Sequence, residues 1–246
     1  REIVLFSKEI VSKLIDTTII LFTTAVVFGY LFKNVSPMEN YGQFIVVGAV
    51  VTFGLFEIVG RVADFIGDLT GAKVISNYLI LPLPSFYVFS SIAIGWGICS
   101  LFMSVVMVPL AKLFLLDKFD LSHFSIIKFS LIIITSSFFY AFFALWLSSL
   151  IKNLRSLSWL WCRVINPMFM FCGYFYTWTS VYKMSHVVGI LHLFNPMIYV
   201  LEGARASVLG QSGYLPYWTC FFVLWAFIIF FATDGTLRLK RRLDCI

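Results

Sequence analysis

The chain has 246 residues, of which 61% are hydrophobic and 12% charged, and its formal net charge is +6. Soluble domains contain roughly 45–50% apolar and about 25% charged residues, so this composition excludes an ordinary soluble protein. The long apolar runs lack the period-two alternation of membrane barrels, which leaves an all-α bundle of membrane-spanning helices.

The first part of the chain predicts a surface helix followed by two spans. Residues 1–13 place apolar side chains at helical spacing, which favours an amphipathic helix lying at the membrane interface. The same pattern also fits the cytoplasmic start of the first span, predicted over 14–32. A short polar loop then leads to the second span, predicted over 41–60.

Residues 61–85 form the longest polar excursion before residue 150 and are predicted to contain a short helix outside the bilayer. Glu57, Arg61 and Asp64 are spaced so that they share one helix face. They form either an ion-pair stripe that fixes the helix end or a face that transmits force from the excursion. The stretch 67–74 superficially resembles a phosphate-binding loop but lacks its spacing and its Ser/Thr, so nucleotide binding is not expected.

Three further spans are predicted over 86–115, 124–151 and 157–176, and a sixth over 217–237. The intervening residues 173–213 are too apolar for a solvated loop, yet a proline and several glycines make them a poor continuous span. Broken backbone at membrane depth is tolerated only where protein or a water-lined cavity covers it. We therefore predict a re-entrant helical hairpin beside a transport path.

The basic residues stand mainly at the ends of the apolar runs, where they act as topology signals, so no nucleic-acid partner is expected. The predicted cytoplasmic segments carry about twice as many Lys and Arg residues as the opposite side. Six spans with this bias predict that both termini are cytoplasmic.

Residues for other chemistry do not come together in the sequence. The five cysteines lack paired spacing and fit small buried hydrophobes, and the three histidines are not spaced as metal ligands. We find no catalytic set within one membrane depth, so no enzyme activity is expected of this chain. An ion-coupled carrier usually has ionisable residues at mid-span, whereas the charges here crowd toward the span ends.

Aromatic residues make up 19% of the chain and are dense between residues 159 and 178. They form either an interfacial belt at the outer leaflet or a path lined with rings that contact sugars or acyl chains. The candidates for lining such a path are Phe171, Tyr174, Tyr176 and Trp178.

Four local patterns resemble the ABC-2 type transporter permeases, and the likeness covers essentially the whole chain. They are the opening of the second span at 41–48, the Leu-Pro-Leu-Pro element within 71–84, the turn at 147–153, and the motif from Asn195-Pro196 to Arg205. The last is the most specific. The acidic core common in the family's coupling segment is absent, and Cys172-Gly173 replaces the usual Ser-Gly.

The resemblance implies two functional regions. One couples the chain to an ATPase subunit, through Asp64, Asp68, Gly71, Lys73, Asn77 and Pro82. The other is the outer hairpin, with Asn195, Pro196, Tyr199, Glu202 and Arg205. Glu202 and Arg205 are expected to pair either with each other or with a neighbouring subunit. Replacing either is expected to cripple transport and leave assembly intact.

The resemblance further implies a half-transporter of the bacterial inner membrane, in contact with membrane lipids. A second copy and two ATP-binding cassette subunits complete it, and those subunits hold the ATP and Mg, so this chain needs no cofactor. The expected substrate is amphipathic, such as a polysaccharide, a glycolipid or a lipid-like compound. The alternatives are a drug or antibiotic efflux permease, an ion-coupled secondary transporter, and an enzyme acting on lipid intermediates.

Overall fold

The computed structural model describes residues 2–31, 41–71, 75, 84–115, 124–151 and 153–243, and all regular structure in them is helical. The helices are α1 (Glu2–Val26, continued by a π-helix over Val27–Leu31), α2 (Tyr41–Thr70), α3 (Ser85–Leu115), α4 (Ile126–Leu150), α5 (157–170, with π geometry over Trp161–Ile165), α6 (Trp178–Met184), α7 (His186–His192), α8 (Pro196–Val208) and α9 (Tyr217–Leu243).

Five of these helices, α1, α2, α3, α4 and α9, are long and apolar enough to cross a membrane within the described ranges. The count rises to six if α7 and α8, which meet at a bend of 94°, are taken as one broken span. The predicted all-α, multi-pass architecture is therefore confirmed.

Helix α1 joins the predicted surface segment and the first span without a break. The residues 2–26 form one α-helix that continues for one more turn of π-helix. The interfacial orientation of residues 1–13 stays a prediction, and the continuous helix equally suits the start of a span.

Helix α2 is longer than predicted. It has 30 residues, which corresponds to roughly 45 Å, and it continues ten residues beyond the predicted end at Gly60. Residues 61–70 of the predicted polar excursion are thus helical and continuous with α2, and their place outside the bilayer stays a prediction. Most of the predicted coupling helix beyond them, 72–74 and 76–83, lies outside the described residues.

Helix α5 is shorter than the predicted span 157–176. It ends at Met170 and is followed by turns, in which Gly173 adopts a left-handed φ of +79°. Fourteen helical residues cover only about 21 Å of a hydrocarbon core that is about 30 Å thick. The prediction of helix over 171–176 is wrong, because the backbone conformation at Gly173 is incompatible with a continuing helix.

The core is built around α2 and α4, which approach closely where α2 has a glycine. A Cβ atom at Gly54 would overlap the ring of Tyr140, whose hydroxyl donates to the Val51 carbonyl at 2.7 Å. Helix α9 packs along α4 in a similar way, with Gly235 against the backbone of Trp146. Glycine thus allows the three helices to pack at short distances.

The bundle has two distinct ends. The hairpin end holds α6, α7 and α8 beside the starts of α2, α4 and α9. There the Ser125 amide, just before α4, donates to the Ser207 carbonyl of α8. The opposite end, here called the charged end, holds both ends of the described chain. There Glu2 accepts from the Trp96 indole at 2.8 Å, and Arg242 donates to the Ile151 carbonyl at 2.8 Å.

Candidate functional site

The break between α7 and α8 is formed by Asn195 and Pro196, as predicted. The Asn195 side chain accepts from the Met197 amide at 3.0 Å, which caps α8, and donates to the Met168 carbonyl at 2.7 Å. Pro196 takes the first helical position, where its missing N–H costs nothing. Tyr199 spans the same break by donating to the Leu193 carbonyl at 2.8 Å. The orientation of this hairpin within a membrane stays a prediction.

Arg205 is completely buried near the end of α8. Its guanidinium donates to the carbonyls of Gly173 at 2.6 Å, Tyr174 at 2.7 Å and Phe44 at 3.3 Å. The group also lies 3.5 Å from the centre of the Phe44 ring, whose negative face attracts the cation. Arg205 therefore fastens α8 both to the start of α2 and to the turn that follows α5.

Glu202 is also completely buried, one turn earlier on α8. One carboxylate oxygen accepts from the Trp178 amide at 2.9 Å, and the other accepts from the Leu215 amide at 3.0 Å. It therefore holds the start of α6 and the approach to α9. Tyr214 lies in the same approach to α9, and burial raises its pKa above the ordinary value. Its hydroxyl therefore stays neutral beside the charges of Glu202 and Arg205.

Of the two pairings expected for Glu202 and Arg205, the one with each other is not formed, since no ion pair joins these two described residues. Their pairing with a neighbouring subunit stays a prediction. The two side chains diverge, because each has backbone groups of opposite polarity closer at hand. Burying a charge is tolerable when hydrogen bonds satisfy it. These contacts favour a role in holding the hairpin together, rather than the assembly-neutral role expected from the sequence.

The four predicted path-lining aromatics differ in exposure. Phe171 is 58% exposed and Tyr174 is buried. Tyr176 bonds to His192 at 2.9 Å, and the Trp178 indole donates to the Gly189 carbonyl at 2.9 Å. Three of the four are thus engaged within the protein, and Phe171 presents its ring outward.

A row of aromatic rings, here called the aromatic ladder, leads from the middle of the bundle to the hairpin end. Its successive ring centroids lie 4.9–6.2 Å apart. Its members are Trp161, Phe56, Phe169, Tyr174, Phe175, Phe28 and Tyr41. Sequence reasoning missed Phe56 as a site residue, because its ring partners lie on another helix far along the chain.

The charged end contains an ion-pair network. Glu57 accepts from Lys13 on α1 at 3.2 Å and pairs with Arg61 on its own helix at 3.1 Å. The predicted pairing of Glu57 with Arg61 is confirmed, and Lys13 extends it to a second helix. Asp64, one turn further, is exposed and lines the same groove of about 260 Å³.

Of the six predicted coupling residues, three lie within the described ranges. Asp64 is exposed on α2, and Gly71 is exposed just beyond the helix. Asp68 is buried and accepts from the Ile75 amide at 2.8 Å, so Ile75 lies against the end of α2. The described ranges do not include Lys73, Asn77 and Pro82.

An acid-rich cavity of about 610 Å³ adjoins these coupling residues. It lies between the start of α1, the last turns of α2, the first half of α3 and Leu154, which precedes α5. Its charged lining residues are Glu2, Glu9, Arg61, Asp64 and Asp68. The described residues contain no group of three His, Cys, Asp or Glu side chains arranged to hold a metal ion. Four carboxylates and one guanidinium group thus line this cavity.

Residues 1–209 match the ABC-2 type transporter family. The chain is also similar to the inner membrane transport permease YadH of Escherichia coli K12, with 25% identity over 94% of this chain and 88% of that protein. The proteins of the same name from Escherichia coli O157:H7 and Shigella flexneri match equally well. No solved structure matches the chain significantly. Since the family match covers most of the sequence, this chain belongs to the ABC-2 type transporter family.

Proposed function

We propose that this chain is the membrane half of a homodimeric, ATP-driven exporter in the bacterial inner membrane, with both termini in the cytoplasm. Two separate ATP-binding subunits would power it by docking at the charged end, around residues 61–81. The family match and the similarity to inner membrane transport permeases support a transport role. In this proposal the chain supplies the path, and its partners supply ATP and Mg.

The observation that carries the proposal is the unbroken course of α2 between the two functional regions. At one end, the Phe44 carbonyl of α2 accepts from Arg205 of the hairpin. At the other end, Asp68 anchors the start of the coupling segment through Ile75. A helix of roughly 45 Å moves as one stiff element, so a displacement at the charged end reaches the hairpin end.

The aromatic ladder supports an amphipathic substrate. Phe56, Trp161 and Phe175 are each about 40% exposed, so the ladder presents ring surface beside the groove on α2. The apolar faces of these rings suit contact with acyl chains or sugar rings. The flanking ion-pair network of Lys13, Glu57 and Arg61 suits contact with a polar head group. A polysaccharide, a glycolipid or a lipid-like compound fits this combination.

The proposal is tested by co-expressing the chain with ATP-binding cassette subunits from the same genome. We expect the two to copurify, and a variant with residues 67–81 scrambled to lose the partner. The matched control is Ile127→Ala at the hairpin end, where the side chain is 75% exposed and no coupling contact is expected.

Reconstituted vesicles then separate the reaction classes. An ATP-driven exporter moves substrate only with ATP and the partner subunit. Transport that persists without the partner and follows an ion gradient would instead establish an ion-coupled carrier. Export of drugs without any glycan or lipid intermediate would favour the efflux alternative.

A further inference from the structure

Two charged residues on helices of the bundle have no partner within the described part of their own chain. Asp16 on α1 and Arg163 on α5 are both exposed, and neither forms a hydrogen bond or ion pair there. Ionisable groups in membrane bundles pair with one another or face water, because a lone charge is costly in hydrocarbon. Each of the two is therefore met either by water or by a group from outside this copy.

Contacts with α2 place a residue of α1 and a residue of α5 at the same height. Lys13 of α1 bonds to Glu57 at 3.2 Å. The preceding residue of α2, Phe56, contacts the Trp161 ring of α5 with centroids 6.0 Å apart. Lys13 and Trp161 thus mark one level along the bundle.

Asp16 and Arg163 lie just above this level. Both α1 and α5 run from the charged end toward the hairpin end, so the sequence offsets can be compared directly. Asp16 follows Lys13 by three residues, and Arg163 follows Trp161 by two. At 1.5 Å of rise per residue, the two residues stand about 4.5 Å and about 3 Å beyond this level along their own helices, which are similar offsets.

The surface of α1 separates a lipid-facing side from a polar side. One exposed stripe is apolar and follows helical spacing through Val4, Val11, Ile15, Ile19 and Phe22. A second exposed stripe, here called the polar stripe, carries Glu9, Asp16 and Thr23 at a spacing of seven residues and also includes the apolar Leu5 and Ile20. Lys13 lies beside this stripe and its side chain reaches α2. The polar stripe therefore borders the groove on α2.

The groove on α2 lies open between α1 and α5. Phe56, Gly60 and Asp64 are its exposed α2 residues, and Lys13 of α1 completes one wall. The other side is bordered by α5, through the contact of Trp161 with Phe56. In a dimer whose two-fold axis passes in front of this groove, α1 of each copy packs against α5 of the other copy. The contact occurs twice, because both copies use the same surface in a two-fold interface.

We propose that two copies pair across this groove, and that Asp16 of each copy forms an ion pair with Arg163 of the partner subunit. The inference rests on the homodimer of the proposed function and identifies residues that hold it. The opposite charges and matching heights of the two side chains make a second copy the fitting occupant. The two ion pairs would border the path on either side of the axis.

The test uses charge reversal in two differently tagged copies of the full chain, extracted from membranes and captured through one tag. We expect Asp16→Arg copies to capture each other about tenfold less than wild-type copies do, and Arg163→Asp copies likewise. A mixture of the two variants restores both ion pairs, so Asp16→Arg copies should capture Arg163→Asp copies at near wild-type yield. Lys112→Asp, at another exposed position, should leave capture unchanged.

Recovery in the mixture also shows that both variants are folded. The pairing is overturned if either variant captures itself as well as the wild type does, or if the mixture is no better than the single variants. A wild-type chain that captures no second copy would contradict the proposed homodimer itself, which separates the two failures. Where charge reversal prevents membrane insertion, Asp16→Asn and Arg163→Gln test the loss of the ion pairs alone. Wild-type capture by both neutral variants would then overturn the pairing.

Discussion

The two ends of the bundle hold their charges in opposite ways. At the hairpin end, Arg205 and Glu202 are fully buried and bond only to backbone groups. At the charged end, Lys13, Glu57 and Arg61 are partly exposed and bond to one another through flexible side chains. Backbone anchors of this kind define one geometry, whereas side-chain ion pairs can be exchanged for other partners. The hairpin end is therefore suited to be a fixed scaffold and the charged end to be adjustable.

The largest effect is expected from Arg205→Met, which leaves the carbonyls of Gly173, Tyr174 and Phe44 without their donor. Each buried unsatisfied group costs about 1–3 kcal/mol, so the variant should lose roughly 3 kcal/mol or more of stability. The measurement is the thermal unfolding midpoint in detergent. Arg155→Met, on an exposed residue, is the control. Equal midpoints for Arg205→Met and wild type would remove the contrast between the two ends.

The next largest effect is expected from Glu202→Gln. A neutral amide retains one acceptor but turns an NH₂ group toward a backbone N–H, at a cost of about 1.5–3 kcal/mol. Hydrogen exchange should rise at the amides of Trp178 and Leu215, which the carboxylate now binds. Glu9→Gln, whose side chain is 67% exposed, should leave both amides protected. Unchanged exchange at Trp178 would contradict the anchoring role.

Gly54→Ala tests the rigid link between the two ends. The added methyl group would overlap the Tyr140 ring, and overpacking of this kind costs about 1–3 kcal/mol. Gly60→Ala is the matched control on the same helix, because nothing lies within 4 Å of its Cβ position. We expect a lower unfolding midpoint for the first variant and an equal or higher one for the second. The reverse order would argue against close packing of α2 on α4.

The smallest effect on stability is expected from Glu57→Gln at the charged end. Loss of the ion pairs with Lys13 and Arg61 should cost about 1 kcal/mol, because partly exposed pairs contribute little. The same variant should reduce ATP-dependent export more than it reduces stability, if this network takes part in coupling. The two measurements are the unfolding midpoint and the transport rate in vesicles. A large loss of stability together with normal export per folded complex would contradict this prediction, because the network would then hold the fold and play no part in coupling.

Local features were the ones that could be predicted from sequence. The break at Asn195-Pro196 depends on a capping side chain and a proline that act within a few residues, so its position is visible in the sequence. The pairing of Glu57 with Arg61 is likewise a contact within one helix turn. Helix ends were predicted less well, because the end of α2 was inferred from polarity and the end of α5 depends on the backbone at Gly173.

Long-range contacts could not be predicted from sequence. The carbonyl partners of Arg205 lie 31, 32 and 161 residues away, and carbonyls carry no residue-type signal. Side-chain spacing suggested Glu202 as the partner, yet the packing of α8 directs the two side chains apart. The aromatic ladder has the same origin, since it joins helices that meet only in the folded bundle.

By itself, the sequence determined that this protein is an all-helical, multi-pass membrane protein and a member of its transporter family. Apolar runs of this length leave helices as the solution that satisfies the backbone in lipid. Tertiary structure alone decided that Arg205 and Glu202 bind the backbone of the hairpin and that α2 joins both ends as one helix. It also decided that Asp16 and Arg163 are exposed and form no ion pair within the described part of the chain. These features depend on which helices become neighbours, and that is settled only by packing.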